Sequence, residues 1–411
     1  MNEHLCARFT HRFEWLALSF LTLCFFVSPI SVTLTTITYL LAFLFTVLFL
    51  LFAQDWQERW GLLKQNKAAL SFWVLLALFF IGLTYTTSPM HLALQDLHKR
   101  HWTLITPFFI IIIVDARWRM RMINAFLMAM VLTLLLSDLK WFHIYRFHFP
   151  GQVNINGAGA FFHHIVQNFA MSIAAFMCGY RALFERLSKK TRAFYSVIFA
   201  LMAINIIFMS LGRTGYIIFL LLVLYLALIR FKYKGLLIAV ACGILLMSLA
   251  YMTSNDFRSR TQAMIVNYEH SGTATKVNDI NQRVEMYHIA KKMIMARPWF
   301  GYGTGGIRTA EQKMIPQVER VFNPQLDYVE SIYVNFMLEF GILGFVVLMG
   351  VLMTQIIVSF QLPQTERHLM QAVLIALLVG GLFNSFMVSF TISHFYSLFS
   401  AVCFSALITR K

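Results

Sequence analysis

About twelve apolar stretches recur along this chain, near 14–31, 33–53, 69–87, 103–115, 121–139, 161–180, 193–211, 214–230, 235–252, 331–360, 369–389 and 392–408. Most run for 17 residues or more, and about 20 helical residues at roughly 1.5 Å each cross the ~30 Å core of a bilayer. Nothing constrains the fold more than this repetition. In hydrocarbon every backbone N–H and C=O has to be satisfied internally, which leaves helices as the elements that stretches of this length form. Composition agrees: 59% of the residues are hydrophobic and 13% charged, against roughly 25% charged in soluble domains. The expected class is all-α, a polytopic integral membrane protein with about 12 transmembrane helices. The 103–115 segment is short for a span.

One long connection interrupts the series, so the expected organisation is helices 1–9 over residues 1–252, a large and partly helical loop over 253–330, and helices 10–12 over 331–411. The side on which that loop lies follows from charge. Short connections at 54–68, 115–121, 181–192, 230–234 and 361–368, with the two termini, carry 19 Lys and Arg, whereas the short connections on the other side carry five. Basic short loops stay in the cytoplasm. Both termini are therefore expected in the cytoplasm and the long loop outside it. Arg8 and Arg12 precede the first apolar run as in a signal peptide, but no small-x-small cleavage site follows, and an uncleaved first span is expected. The excess of Lys and Arg over Asp and Glu, 34 against 18, is explained by topology and by contact with anionic membrane lipids. No nucleic-acid partner is expected. The five cysteines have neither CxxC nor metal-ligand spacing and read as small buried hydrophobes; no metal and no cofactor are expected.

Within the loop lies NQRVEMYHIAKKMIMARPWFGYGTGG, residues 281–306. Arg283, Tyr287, Ala290 and Ile294 recur on one helical face, and Pro298 with the glycines ends the helix. Gly301, Gly303 and Gly306 formally satisfy G-x-G-x-x-G, yet no strand precedes them and no βαβ unit surrounds them, so a dinucleotide fingerprint is not expected. A flexible turn and a nest of N–H groups facing an anion remain as readings. Arg283 and Arg297 are 14 residues apart, roughly 21 Å along a helix, and cannot grip one phosphate. Arg297 near the helix end complements the dipole; Arg283 near its start opposes it, and is the better functional candidate.

Other polar residues gather at the same expected level. In SLGRTGY, residues 210–216, two glycines flank Arg213 in a turn between spans. A snorkelling arginine is the plain alternative to a binding role. His163, His164, Gln167 and Asn168 open another span. Glu330 and Ser331 stand where the long loop meets the next span, with Glu339 nine residues on. Asn384 and His394 sit near the outer ends of the last two spans. Polar groups at membrane depth usually face the bundle interior and carry function.

These features together resemble the O-antigen ligase/O-antigen polymerase family of membrane glycosyltransferases. The likeness rests on the spans with one large late loop, the arginine in SLGRTGY, the loop pattern from Arg283 to ARPWFGYGTGG, and Ser331 followed by Glu339-Phe-Gly341-Ile-Leu-Gly344. The resemblance implies transfer of a glycan from undecaprenyl diphosphate to a sugar hydroxyl of lipid A–core, without a metal, on the periplasmic face of a bacterial inner membrane. It implies that Arg213 and Arg283 bind the diphosphate. Ligases usually carry His-[Asn/Ser/Gln]-x9-Gly where the loop returns to the membrane; this chain has Glu330-Ser331-x9-Gly341. Glu330 stands in the family's His position and is the expected general base, with His164 the alternative, while Ser331, Tyr287, Gly303 and Asn384 are the expected supporting residues. An O-antigen polymerase would use the same donor with a different acceptor. A lipid-linked glycan transporter is a third reading, but the two related halves it would show are not evident.

Overall fold

The computed structural model describes residues 3–144, 159–210, 212–253, 279–314 and 328–408, and all regular secondary structure in them is helical. The helices are α1 (Glu3–Val27), α2 (Val32–Phe52), α3 (Trp56–Gln65), α4 (Lys67–Thr84), α5 (Met90–Lys99), α6 (Trp102–Ile112), α7 (Ala116–Trp141), α8 (His164–Phe184) and α9 (Lys189–Ile204). They continue with α10 (Arg213–Thr253), α11 (Asp279–Ala296), α12 (Ile307–Met314), α13 (Ile332–Ser359), α14 (Gln364–Phe383) and α15 (Phe390–Phe404). Short polar side chains start several of them. Ser31, Asn66, Asp115, Ser188 and Ser331 each accept from a backbone N–H of the first turn, which satisfies one of the donors a helix start leaves open.

Eight of these helices are long and apolar enough to cross a membrane: α2, α4, α7, α9 with its extension to Met209, α10 as far as Lys232, α13, α14, and α15 with its extension to Leu407. The chain is a multi-pass membrane protein. The spans expected at 14–31, 103–115, 161–180 and 235–252 fall on α1, α6, α8 and the end of α10, all helical but outside that set of eight. Helix α6 has 11 residues, roughly 16 Å, too short to cross alone. Of the loop expected over 253–330, residues 279–314 and 328–330 are described and the others lie outside the described residues.

Helix α15 is the axis of the bundle, with every side chain from Ile392 to Phe404 buried. A helix buried all round needs partners for its polar groups. Ser397 is bonded to Tyr39 (2.8 Å) and Thr106 (2.7 Å), and Tyr396 donates to Gln355.

The feature that shapes the functional end is a break in α13. At Gly341 the backbone turns to φ 64°, ψ −159°, and the helical hydrogen bonds across it are lost. Orphaned groups at membrane depth are tolerated only where protein satisfies them, and here the glycine-rich turn does so. Tyr302 N–H donates to the Leu338 carbonyl (2.9 Å), Gly303 N–H to the Glu339 carbonyl (2.7 Å), and Ile342 N–H to the Pro298 carbonyl (2.8 Å). The turn also reaches α4 and the segment after it: Thr304 N–H donates to Gly82 O (3.2 Å), and Thr87 N–H to Tyr302 O (3.0 Å). A methyl group at Gly341 would overlap the backbone of Trp299 and Phe300, and one at Gly303 would overlap Gly82 and Thr86.

Gly341→Ala combines a left-handed backbone with backbone overlap, and is expected to lower stability by about 2 kcal/mol or more. Gly350→Ala, in the same helix with open space around it, should be neutral or slightly stabilising. Thermal unfolding of both variants in detergent checks the contrast.

Candidate active site

At the end of the bundle that carries the break, three short segments converge. The first is the turn before α10. Residues Asn205–Met209 widen into a π-turn, closed by Ser210 N–H donating to the Asn205 carbonyl (2.8 Å). The Asn205 amide is anchored on α7, donating to Asp138 (2.7 Å) and Ser137 (2.9 Å). Gly212 and Gly215 let α8 approach closely: a methyl group at Gly212 would press on His164 and Asn168, and one at Gly215 would overlap Asn168. Asn168 donates to the Ser210 carbonyl (3.3 Å). Arg213 then becomes the first residue of α10, exposed and without an ion-pair partner among the described residues. A cation there opposes the helix dipole, so helix stability does not account for it.

The second segment joins α11 to the start of α13. Ile289, Ala290 and Met293 of α11 form a small core with Tyr302, Ile307, Ala310, Val329 and Leu338. That packing lays the start of α11 against residues 328–331, where Arg283 forms an ion pair with Glu330. Tyr287, one turn on, donates its hydroxyl to the Glu330 carbonyl (3.1 Å). Burial pushes the Tyr287 phenol up from its ordinary value, with the Arg283 charge drawing it down and Glu330 adding to the rise. Arg283 and Glu330 keep 38% and 34% of their side-chain surface exposed, while the paired Glu330 Oε2 is itself covered.

The third segment, Asn384-Ser385, holds the other two together. The Asn384 amide donates to Thr214 (2.9 Å), next to Arg213, while the Ser385 hydroxyl donates to the carbonyl of Val329, next to Glu330. Asn335 fixes Val329 again, accepting from its N–H and donating to its carbonyl, both at 2.7 Å. Close packing sets the spacing: side chains at Gly380 and Gly381 would collide with Ile218 of α10 and Ile332 of α13.

The structure therefore brings Arg283, Tyr287 and Glu330 into one cluster and links it, through Asn384, to the turn that carries Arg213 and abuts His164. Ser331 caps α13 through its side chain and is 3% exposed. Gly303 lies in the turn that repairs α13, and its N–H is used there. The turn does not act as a nest around an anion: Tyr302, Gly303 and Thr304 N–H donate to backbone carbonyls, and the Gly305 N–H alone reaches a carboxylate, that of Glu339 (3.1 Å). Arg297 stacks over the Tyr302 ring at 5.3 Å.

Sequence reading singled out Glu339 but missed the charged partners that the structure gives it. Arg100 donates to Asp96 and to Glu339, each at 2.6 Å, with Glu339 5% exposed and Arg100 9%. Burial works against the Arg100 charge, and the two carboxylates outweigh it and hold the guanidinium protonated. The i, i+4 spacing of Asp96 and Arg100 was a local signal; the partner 239 residues later was not. Beside this triad a cavity of 430 Å³ opens between α5, α12 and residues 328–335.

Comparison with known families bears on this end of the molecule directly. Residues 197–349 match the family described as O-Antigen ligase. Over that segment the chain is similar to the O-antigen ligase family. The matched segment contains the Arg213 turn, Arg283, the glycine turn, Glu330 and the Gly341 break, while His164 and Asn384 lie outside it. Comparison with curated proteins finds no match.

A pair as exposed as Arg283–Glu330 is screened by water and contributes little to stability, about 1 kcal/mol or less. A double-mutant cycle of Arg283→Ala and Glu330→Ala, read by thermal unfolding, is expected to show coupling no larger than that.

Proposed function

We propose that this protein is an O-antigen ligase-type glycosyltransferase of the bacterial inner membrane, acting on its periplasmic face. Its donor is a glycan on undecaprenyl diphosphate and its acceptor a sugar hydroxyl of lipid A–core. The observation that carries the reading is the Arg283–Glu330 cluster, tied by Asn384 and Ser385 to the Arg213 turn inside the family's matched segment. It places a carboxylate and two arginines on one tethered assembly.

In this mechanism Arg213 and Arg283 hold the donor's diphosphate. The planar guanidinium suits phosphate oxygens, and a fixed positive charge stabilises the developing negative charge of the leaving group. Glu330 takes the proton from the acceptor hydroxyl. The freed oxygen attacks the anomeric carbon of the donor, the bond from that carbon to the diphosphate oxygen breaks, and undecaprenyl diphosphate leaves with the electron pair. The ion pair gives this an order: a diphosphate that engages Arg283 releases Glu330 from its partner and leaves the carboxylate ready to accept a proton. Charge neutralisation by the two arginines meets the electrostatic demand without a metal. Residues 1–252, the 253–330 loop and residues 331–411 then act as scaffold, periplasmic cover and closing bundle.

Loss of a general base typically costs about 10²–10⁴-fold in rate. Glu330→Gln should lose that much at matched membrane levels, and Glu330→His, which installs the family residue, should retain measurable transfer. Near-wild-type transfer in Glu330→Gln would move the base to His164. The Ala variants of Arg213 and Arg283 should abolish transfer, and Lys should restore it poorly. Surface glycans of a deletion strain decide the branch. Long chains built but not joined to lipid A support the ligase, and attached chains one repeat long support the polymerase.

The periplasmic placement is checked separately. A cysteine replacing Lys292, exposed on α11, in a chain freed of its native cysteines, should react with a membrane-impermeant thiol reagent in intact spheroplasts. Labelling only after lysis overturns the orientation.

A further inference from the structure

The cavity beside the Asp96–Arg100–Glu339 triad has a volume of 430 Å³, within the ~300–1,000 Å³ of small-molecule sites. The diphosphate and base chemistry of Arg213, Arg283 and Glu330 uses none of its lining. Its charges are arranged unevenly. Arg100 is shared by the two carboxylates, Asp96 and Glu339. Lys99 and Arg308 also line the cavity and are exposed, and Lys99 has no ion-pair partner among the described residues. Lys99 thus gives the described part of the wall an exposed cation beyond the Arg100 that the two carboxylates share.

The rest of the lining is neither a bare anion site nor an apolar slot. The exposed Gln95 amide and the Ser88 and Thr309 hydroxyls add donors and acceptors, and Tyr328, 47% exposed, adds an aromatic ring. Mixed hydrogen bonding around a ring face suits a polyhydroxylated ligand, and the excess cation suits one with anionic substituents. Position completes the argument. Tyr328 is two residues before Glu330, and Asn335, also in the lining, clamps Val329.

We propose that this cavity is the acceptor subsite, binding an oligosaccharide that bears phosphate groups and presenting one of its hydroxyls towards Glu330. The proposal rests on the transferase reading above, and it separates the two substrates: lipid-linked diphosphate at the arginines, anionic acceptor glycan between α5 and α12.

The test measures binding rather than turnover. The probe is the core oligosaccharide released from the deletion strain's lipopolysaccharide, fluorescently labelled, with a second batch stripped of its phosphates; the protein is embedded in nanodiscs of zwitterionic lipid. The phosphorylated probe should bind, and removing its phosphates should weaken binding about tenfold, the scale of one lost charge-assisted hydrogen bond. Lys99→Ala and Gln95→Ala, both at exposed positions, should each weaken it several-fold with unchanged thermal unfolding. Arg283→Ala should leave it within about twofold, since that residue lies outside the cavity. Equal binding of the stripped probe, wild-type binding in both cavity variants, or displacement of the probe by undecaprenyl diphosphate overturns the proposal. Transfer without probe binding sinks the subsite and leaves the transferase reading standing; probe binding without transfer sinks the transferase reading and with it the acceptor role, leaving only a glycan-binding cavity.

Discussion

The architecture of the functional end depends on one backbone repair. Helix α13 is broken at Gly341, and a break at membrane depth leaves peptide groups that lipid cannot satisfy. The turn from Pro298 to Gly305 supplies the missing partners and continues to the end of α4. A segment expected as a loop outside the membrane core is thereby fastened between two spanning helices. Everything on either side of the turn inherits that fixation. Helix α11, which carries Arg283 and Tyr287, is docked on one side by the core around Met293 and Tyr302, and α12 is docked on the other by Ile307 and Ala310. The glycines are needed because the backbones touch. At Gly341 and Gly303 a side chain would occupy space already filled by main chain.

The site is assembled from turns rather than from any one helix, and small polar side chains do the joining. Asn384 reaches Thr214, Ser385 reaches Val329, Asn335 brackets Val329 a second time, and Asn168 reaches Ser210. Each such bond contributes only about 1 kcal/mol, but together they fix the relative position of segments more than a hundred residues apart. That precision is what a transfer reaction needs, because orientation of the reacting groups supplies a large part of the rate.

How much of this was legible in the sequence follows the range of the interactions. Length and apolarity identify α2, α4, α7, α9, α10, α13, α14 and α15, because crossing a bilayer is a local demand on about 20 residues. The break in α10 at Lys232 falls in the basic 230–234 connection for the same reason. Helix α6 reads poorly because it is short and surrounded by other helices. Arg283 was visible as a cation with no local excuse, Arg213 by its turn between two glycines, and Glu330 by its place before Gly341. The glycine cluster was visible too, but its partners, at Gly82, Thr87, Leu338 and Glu339, are set by packing alone. The Arg100–Glu339 pair was hidden for that reason, since a charge with a distant partner looks in sequence like any other charge.

The two ion pairs at this end differ in a way that separates architecture from chemistry. Arg100–Glu339 is buried, backed by Asp96 and by the Gly305 N–H, with its guanidinium over the Phe79 ring at 4.5 Å. Removing either member strands a charge that is more than nine-tenths buried, so the pair is bound into the fold and cannot easily exchange partners. Arg283–Glu330 is about one-third exposed on each side, stabilises the fold little, and can exchange its partner for a ligand at small cost. A structure that needed only an anchor for residues 328–331 already has one in Asn335 and Ser385, both acting on Val329. The exposed pair is redundant for holding the loop. Its exposure, its place in the segment that matches the family and its tether to the Arg213 turn are what the proposed function draws on, in which the two residues serve as base and phosphate clamp and keep each other's charge until a substrate separates them.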